Sequence, residues 1–351
     1  MATSTVDPDD GGADYASLSA WEAQNRDLVT ANDTETAVCT AQSGSVDSAA
    51  SVVLAGWTSS DAFDINITGD RTDGAWDATK YRLELANTTY GIFDIAEDFV
   101  TIDSIQMDNT AGSPTGDSAA IISNVGVDYT RIQVSNSILV GGRVTLRLAD
   151  SDCTNGYYFK NVIYGGTAAA AFVSHDNGTQ NFYGSTFASP ANGLFRDAPA
   201  TVVAKNCYAY GNSGSAYVGT ITLTTCASED ATGTAGLQNI AYSTSAGAYF
   251  TNVTGGSEDH HISGSSDLKD AGTDTSGDSA PLDFSDDIEG TAQSGTWDIG
   301  AIVAPAAAGA PSRGLIMIIS NLKKALMMYP VAAIVVNNPV ERRDVIKGKW
   351  L

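Results

Sequence analysis

Short runs of β-branched and aromatic residues, punctuated by Gly, Asn and Asp, recur along most of the chain. Phe63-Asp-Ile-Asn-Ile-Thr and Tyr81-Arg-Leu-Glu-Leu alternate apolar with polar positions. Such alternation turns one face of a strand inward and the other toward solvent. Ala37-Val-Cys-Thr and Ser51-Val-Val-Leu-Ala are further strand-like runs, separated by turn signals such as Thr68-Gly-Asp and Asp73-Gly. Between Asp103 and Cys226 the runs carry a repeated phrase. It reads Ile-Asp103-Ser104-Ile, Ser-Asn136-Ser137-Ile, Lys-Asn161-Val162-Ile, Tyr-Gly184-Ser185-Thr, Lys-Asn206-Cys207-Tyr and Thr-Thr225-Cys226-Ala. Aligned on Asp103, Asn136, Asn161, Gly184, Asn206 and Thr225, the phrases are spaced 33, 25, 23, 22 and 19 residues by subtraction. A period of roughly two dozen residues, with one or more strands in each, predicts a coil wound repeatedly about one axis. The fold class expected is all-β, a parallel β-helix.

Strand alternation through Arg131–Ile138 turns Ile132, Val134 and Ile138 inward and takes Asn136 with them. Asn136, Asn161 and Asn206 then stand at matched places, where stacked amides bond one another across about 4.8 Å. Gly184 and Thr225 interrupt this structural ladder. Cys207 and Cys226 share a phrase position in neighbouring coils. They are near enough for a disulfide, while free buried thiols are the expectation without a secretory signal.

The ends differ from the middle. Residues 1–14 are polar and acidic and read as a solvated leader. Tyr15 to about Leu28 reads as one amphipathic helix, with Ser19-Ala-Trp-Glu22 as a capping box. Such a helix covers the open end of a first coil. The division expected is therefore a leader and capping helix over 1–34, the β-helix over 35–303, an Ala/Pro linker over 304–311 and a separate tail over 312–351. In the tail, Ser312 caps a short helix carrying Leu315, Ile318, Ile319, Leu322, Leu326 and Tyr329 on one side, and 331–336 reads as a strand.

Charge sharpens that division. The chain of 351 residues carries −23 overall. Residues 313–351 hold seven basic groups against two acidic, a net +5, which leaves 11 basic and 39 acidic groups on the rest. An acidic body of that kind repels nucleic acid. The basic, apolar tail is the expected assembly segment, through Leu315, Ile319, Leu322, Lys323, Lys324, Arg342, Arg343 and Trp350. Asn321, Lys323 and Lys324 interrupt the longest apolar run, so no membrane span is expected.

From Asp259 onward the pattern changes. Asp259-His-His-Ile-Ser-Gly-Ser-Ser-Asp267-Leu-Lys-Asp270-Ala-Gly-Thr-Asp274 leads through Asp283 to Asp287-Ile-Glu-Gly290 and Trp297-Asp298-Ile-Gly300-Ala. These residues resemble the closing segment of right-handed parallel β-helix repeat proteins, the pectate-lyase-like superfamily. Gly12-Ala-Asp14-Tyr15-Ala-Ser-Leu resembles the cap entry of the same superfamily. The resemblance spans about residues 8–303. It implies a right-handed coil and, for function, either a polysaccharide-modifying enzyme or a rigid rod of the kind phages use as spikes and decorations. The family phrase continues with an acid after the final Ala, where this chain has Ile302-Val303.

Enzymes of this fold that act on acidic polysaccharides use acids and bases on the outside of adjacent coils. The candidates are Asp150, Asp152, His175, Asp176, Arg196 and Asp197, with Arg147 nearby; none forms a clean stacked pair in sequence. His260 and His261 face opposite ways on a strand and do not share one metal. No CxxC spacing occurs among the four cysteines, so neither metal nor cofactor is expected. The expectation is a non-enzymatic virion structural protein, a capsid decoration, spike or fibre. Its partners would be other virion proteins and copies of itself, a trimer by preference, with host-surface glycans as a further candidate. The alternatives are a polysaccharide lyase or hydrolase, and a bacterial surface adhesin.

Overall fold

The computed structural model describes residues 2–86, 90–110, 118–123, 128–148, 152–254 and 259–305. Three parallel sheets carry the body, and the chain visits them in rotation. The first sheet holds Ala2–Val6, Glu35–Cys39, Ile65–Thr68, Val100–Asp103, Tyr129–Ser135, Cys153–Phe159, Thr179–Tyr183, Thr201–Lys205 and Ile221–Thr224. The second runs from Arg82–Glu84 to Ala227–Ser228, and the third from Val52–Leu54 to Tyr217–Val218. Each hydrogen-bonded neighbour within a sheet is the same strand one coil on, so the architecture is a parallel β solenoid. Stacked coils bury matched columns: Ala37, Ile67, Ile102, Val134, Tyr158, Phe182 and Ala204 are in register along the first sheet and fully buried.

The repeated phrase is the corner between the first and second sheets. Ser104, Asn136, Lys160, Gly184, Asn206 and Thr225 all have φ between 48° and 55° there. One left-handed residue turns the chain sharply, and a second residue then enters the next strand. That corner corrects two expectations. Asn161 is not level with Asn136 and Asn206; it occupies the second corner position, with Ser137, Ser185, Cys207 and Cys226. The expected amide ladder is accordingly replaced by separate anchors. Asn161 is buried, accepting from the Ser137 N–H at 2.9 Å and donating to the Val134 carbonyl at 2.8 Å. Asn136 donates to Asp103 at 2.7 Å, and Asn206 to the Thr273 carbonyl at 2.6 Å. The corner also breaks alternation, so Leu139 joins the central core while Ile138 faces outward.

The outward face of the second sheet is covered by the chain's own closing segment. Ile138, Val140 and Val162 pack against Ile288, Ala301 and Ile302. Further along, Tyr208 and Tyr210 pack against Phe250, Leu268 and Ile299. Both faces of this sheet are thus buried, as parallel sheets require. The closing segment runs back along the corners: Thr273 meets Asn206, Asp286 meets Lys160, and Ile288 meets Arg71.

The N-terminal stretch departs from expectation. Ala2–Val6 is a strand of the first sheet, paired with Glu35–Cys39, not a solvated leader. Asp7 is buried and accepts from Thr40 Oγ1 at 2.9 Å, while Asp9 holds the backbone of Gln42, Ser43 and Ser45. Instead of one long helix there are two short ones, Leu18–Glu22 and Leu28–Ala31. Asn25, at φ 45°, breaks the helical path between them. Ser17 and Asp27 cap them by accepting from the Ala20 and Thr30 N–H groups, and Leu18, Trp21 and Leu28 enter the core.

Cys207 and Cys226 lie in neighbouring coils, one residue before the paired Tyr208 and Ala227, and all four cysteines are buried free thiols. Burial, with Cys226 alongside, pushes the Cys207 thiol well above its ordinary value. Ala304, the first residue of the expected linker, is buried and bonds Asp298 Oδ2. Residues 306–311 of that linker, and the tail with its helix, strand and assembly residues, lie outside the described residues. No helix among the described residues is long and apolar enough to cross a membrane.

Candidate functional site

Two places on the coil surface gather chemistry. The first is built where the closing segment meets the early coils. Phe250–Asn252 and Asp259–Ile262 form an antiparallel ribbon. Alternation along it sends its two histidines to opposite sides. His260 is buried among Tyr164, Tyr210 and Phe250 and bonds the Tyr210 hydroxyl. Burial drives its pKa down to about 4, so the ring is neutral at physiological pH.

His261 faces the other way. Its backbone N–H donates to Asp259 Oδ1 at 3.0 Å, and its Nδ1 bonds the same oxygen. Its Nε2 lies 2.6 Å from Glu289 Oε1 and 3.7 Å from Asp73 Oδ1. Partial burial disfavours the charged ring, but the Asp259 hydrogen bond and the charges of Glu289, Asp259 and Asp73 outweigh it and raise the pKa above its ordinary value.

Each acid is held by its own local structure. Glu289 sits in a turn organised by buried Asp287, whose carboxylate accepts from the N–H groups of Glu289, Thr291 and Val303 at 2.9, 2.7 and 3.0 Å. Glu289 Oε1 also accepts from the Gly74 N–H at 2.6 Å. A Cβ at Gly74 would come within 2.4 Å of the end of the Ile302 side chain, so a larger residue there requires that side chain to shift. Arg71 pins the loop carrying Asp73: it donates to the carbonyls of Asn136 at 2.8 Å, of Ile288 at 2.9 Å and of Asp73. Burial lowers its pKa to about 10, against the surrounding acids, and leaves it charged at neutral pH. A cavity of about 900 Å³ opens beside the cluster, lined by Tyr249, Phe250, Asp259, His261, Glu289 and Thr291 among others.

The second place is the outer face of the third sheet. Val53, Asp94, Ile122, Arg147, Phe172, Phe195 and Val218 form one column in register. Phe172 and Phe195 meet edge to face, with ring centroids 5.1 Å apart. A groove of about 330 Å³ lies over them, its polar rim made of Arg143, Arg147, Asn192 and Asp197.

The residues singled out from sequence are spread around the coils. Asp150 lies outside the described residues. Asp152 accepts from Asn177 at 2.8 Å at the start of a first-sheet strand. His175 is buried, edge-on to Tyr129 at 6.3 Å. Asp176 is exposed, and Arg196 donates to the Ala200 carbonyl at 2.6 Å. Asp197 joins Arg147 in the third-sheet groove. The cluster of Asp73, Asp259, His261 and Glu289 was not among the candidates; Asp259 and His261 share one strand, but Asp73 and Glu289 come from segments that no short motif connects to it. The chain matches no protein-family model, no curated protein and no solved structure.

Proposed function

We propose that this chain is a non-enzymatic structural rod, a right-handed β-helix whose two N-terminal helices cap the first coil. In this reading it projects from a virion as a decoration, spike or fibre, and residues 312–351 attach it to other virion proteins and to sister copies in a trimer. The supporting observation is how the basic groups of the body are used. Lys160 pairs with Asp286, Lys205 with Asp278, and Arg71 holds the Ile288 carbonyl. Each fixes the closing segment to the corner of the coils, which suits a stiff body. A lyase or hydrolase would instead draw on such groups for proton transfer.

The third-sheet groove favours a second role, glycan contact. An apolar ring pair rimmed by Arg, Asn and Asp fits a sugar, whose C–H faces pack on aromatic rings while its hydroxyls bond polar side chains. Incubation of the full-length chain with acidic and neutral glycans, followed by reducing-end and unsaturated-product assays, tests the non-enzymatic reading. No turnover is expected; depolymerisation of any of them overturns it in favour of the polysaccharide lyase or hydrolase.

A further inference from the structure

We propose that Asp73, His261 and Glu289 bind a zinc-type divalent transition-metal ion, which clips the closing segment onto the early coils. Three segments far apart in sequence each bring one ligand atom to this point, and these atoms all lie within 4.8 Å of one another. One imidazole nitrogen with two carboxylate oxygens is a donor set suited to zinc and its neighbours, whereas calcium and magnesium prefer all-oxygen shells.

The geometry is close to what such an ion needs. Ligands about 2.0–2.1 Å from a tetrahedral ion stand about 3.3 Å apart. His261 Nε2 is 3.7 Å from Asp73 Oδ1 and 2.6 Å from Glu289 Oε1, so small side-chain adjustments on either side admit the ion. Asp73 is exposed, and its Oδ1 accepts from the Ala75 N–H at 3.0 Å, which holds the carboxylate on the side of His261.

The surroundings of the histidine point the same way. Asp259 engages Nδ1 and leaves Nε2 directed at the two carboxylates. This is the carboxylate–histidine arrangement that orients a metal-binding ring and strengthens it as a donor. Charge adds to the argument: Asp73, Asp259 and Glu289 converge on a single imidazole, while the nearby Arg71 is committed to backbone carbonyls. The adjoining cavity leaves room for a water to complete the coordination. The two neighbouring histidines do not share the ion; the other ligands come from across the fold, and His260 stays in the core.

The test uses the full-length chain stripped with chelator and titrated with zinc chloride by calorimetry, with cobalt(II) absorption as the report on coordination. One equivalent should bind and raise the melting temperature. His261→Ala should weaken binding at least 100-fold, and Asp259→Asn 10- to 100-fold. Asp73→Asn, at an exposed position, should weaken binding while leaving the melting temperature in chelator unchanged, which separates loss of a ligand from loss of fold. Absence of stoichiometric binding, retention of affinity in both His261→Ala and Asp73→Asn, or calcium binding tighter than zinc overturns the proposal.

Discussion

Lys160 Nζ lies 2.8 Å from Asp286 Oδ1 although 126 residues separate them in sequence. The lysine is almost buried, sits at a left-handed corner with φ 54°, and has the Phe284 ring 5.3 Å from its ammonium. One residue therefore turns a coil and holds the closing segment. Lys160→Ala should cost about 1.5–3 kcal/mol from the lost pair alone, since the positive-φ strain of a Cβ-bearing residue is common to Lys and Ala. Lys160→Gly removes the same pair but suits the corner, and should cost about 1 kcal/mol less. Urea unfolding of both variants, with Asp286→Ala to close a double-mutant cycle, checks this. Equal losses for Ala and Gly would contradict the corner's role.

Phe182 is the centre of the core between coils. It is fully buried, stacked on Tyr158 at 4.8 Å and edge-on to Phe187 at 5.8 Å. Phe182→Ala should destabilise the body by about 3–5 kcal/mol through the cavity it leaves. Phe182→Leu should lose clearly less. Denaturant midpoints of the two variants measure the difference.

Ile288 covers the outward face of the second sheet beside Ile138. Ile288→Ala should cost about 2 kcal/mol or more. It should also accelerate limited proteolysis within the closing segment before the coils themselves are cut. Peptide mapping of early cleavage products checks the order. Simultaneous cleavage throughout the coils would show that the segment is not a separable layer.

Asp94 stands in the outer column of the third sheet between Val53 and Ile122. Partial burial pushes its pKa up to about 6, against the lowering effect of the Gly91 N–H. A carboxyl whose folded value lies above its unfolded value stabilises the fold while protonated. That contribution is complete below about pH 4 and is lost as pH rises through about 6. Asp94→Asn should therefore leave stability nearly unchanged at pH 4 and raise it by about 1 kcal/mol at pH 8, a figure discounted for partial exposure. Melting curves across that range provide the measurement.

The solenoid was legible because inward columns such as Ile132 and Val134 repeat once per coil. What misled was the choice of residue to align. Asn is common at left-handed corners, so aligning on Asn161 placed that coil one residue out, when Lys160 is the corner residue. Lysine rarely marks such a position, and nothing local announces it. The N-terminal strand was hidden for another reason: Ala2-Thr-Ser-Thr-Val is held by backbone pairing to Glu35–Cys39 rather than by apolar content. The cluster around His261 was illegible because Asp73 and Glu289 approach it only through the return of the closing segment along the corners. Alternation did separate His260 from His261 correctly, one into the core and one toward the acids.

The most direct test of the account is to delete residues 312–351 and compare the shortened chain with the full-length protein by light scattering and circular dichroism. The account predicts a folded, soluble, β-rich monomer from the shortened chain and a trimer from the full-length one. A shortened chain that aggregates or unfolds, or that still forms the trimer, would contradict it.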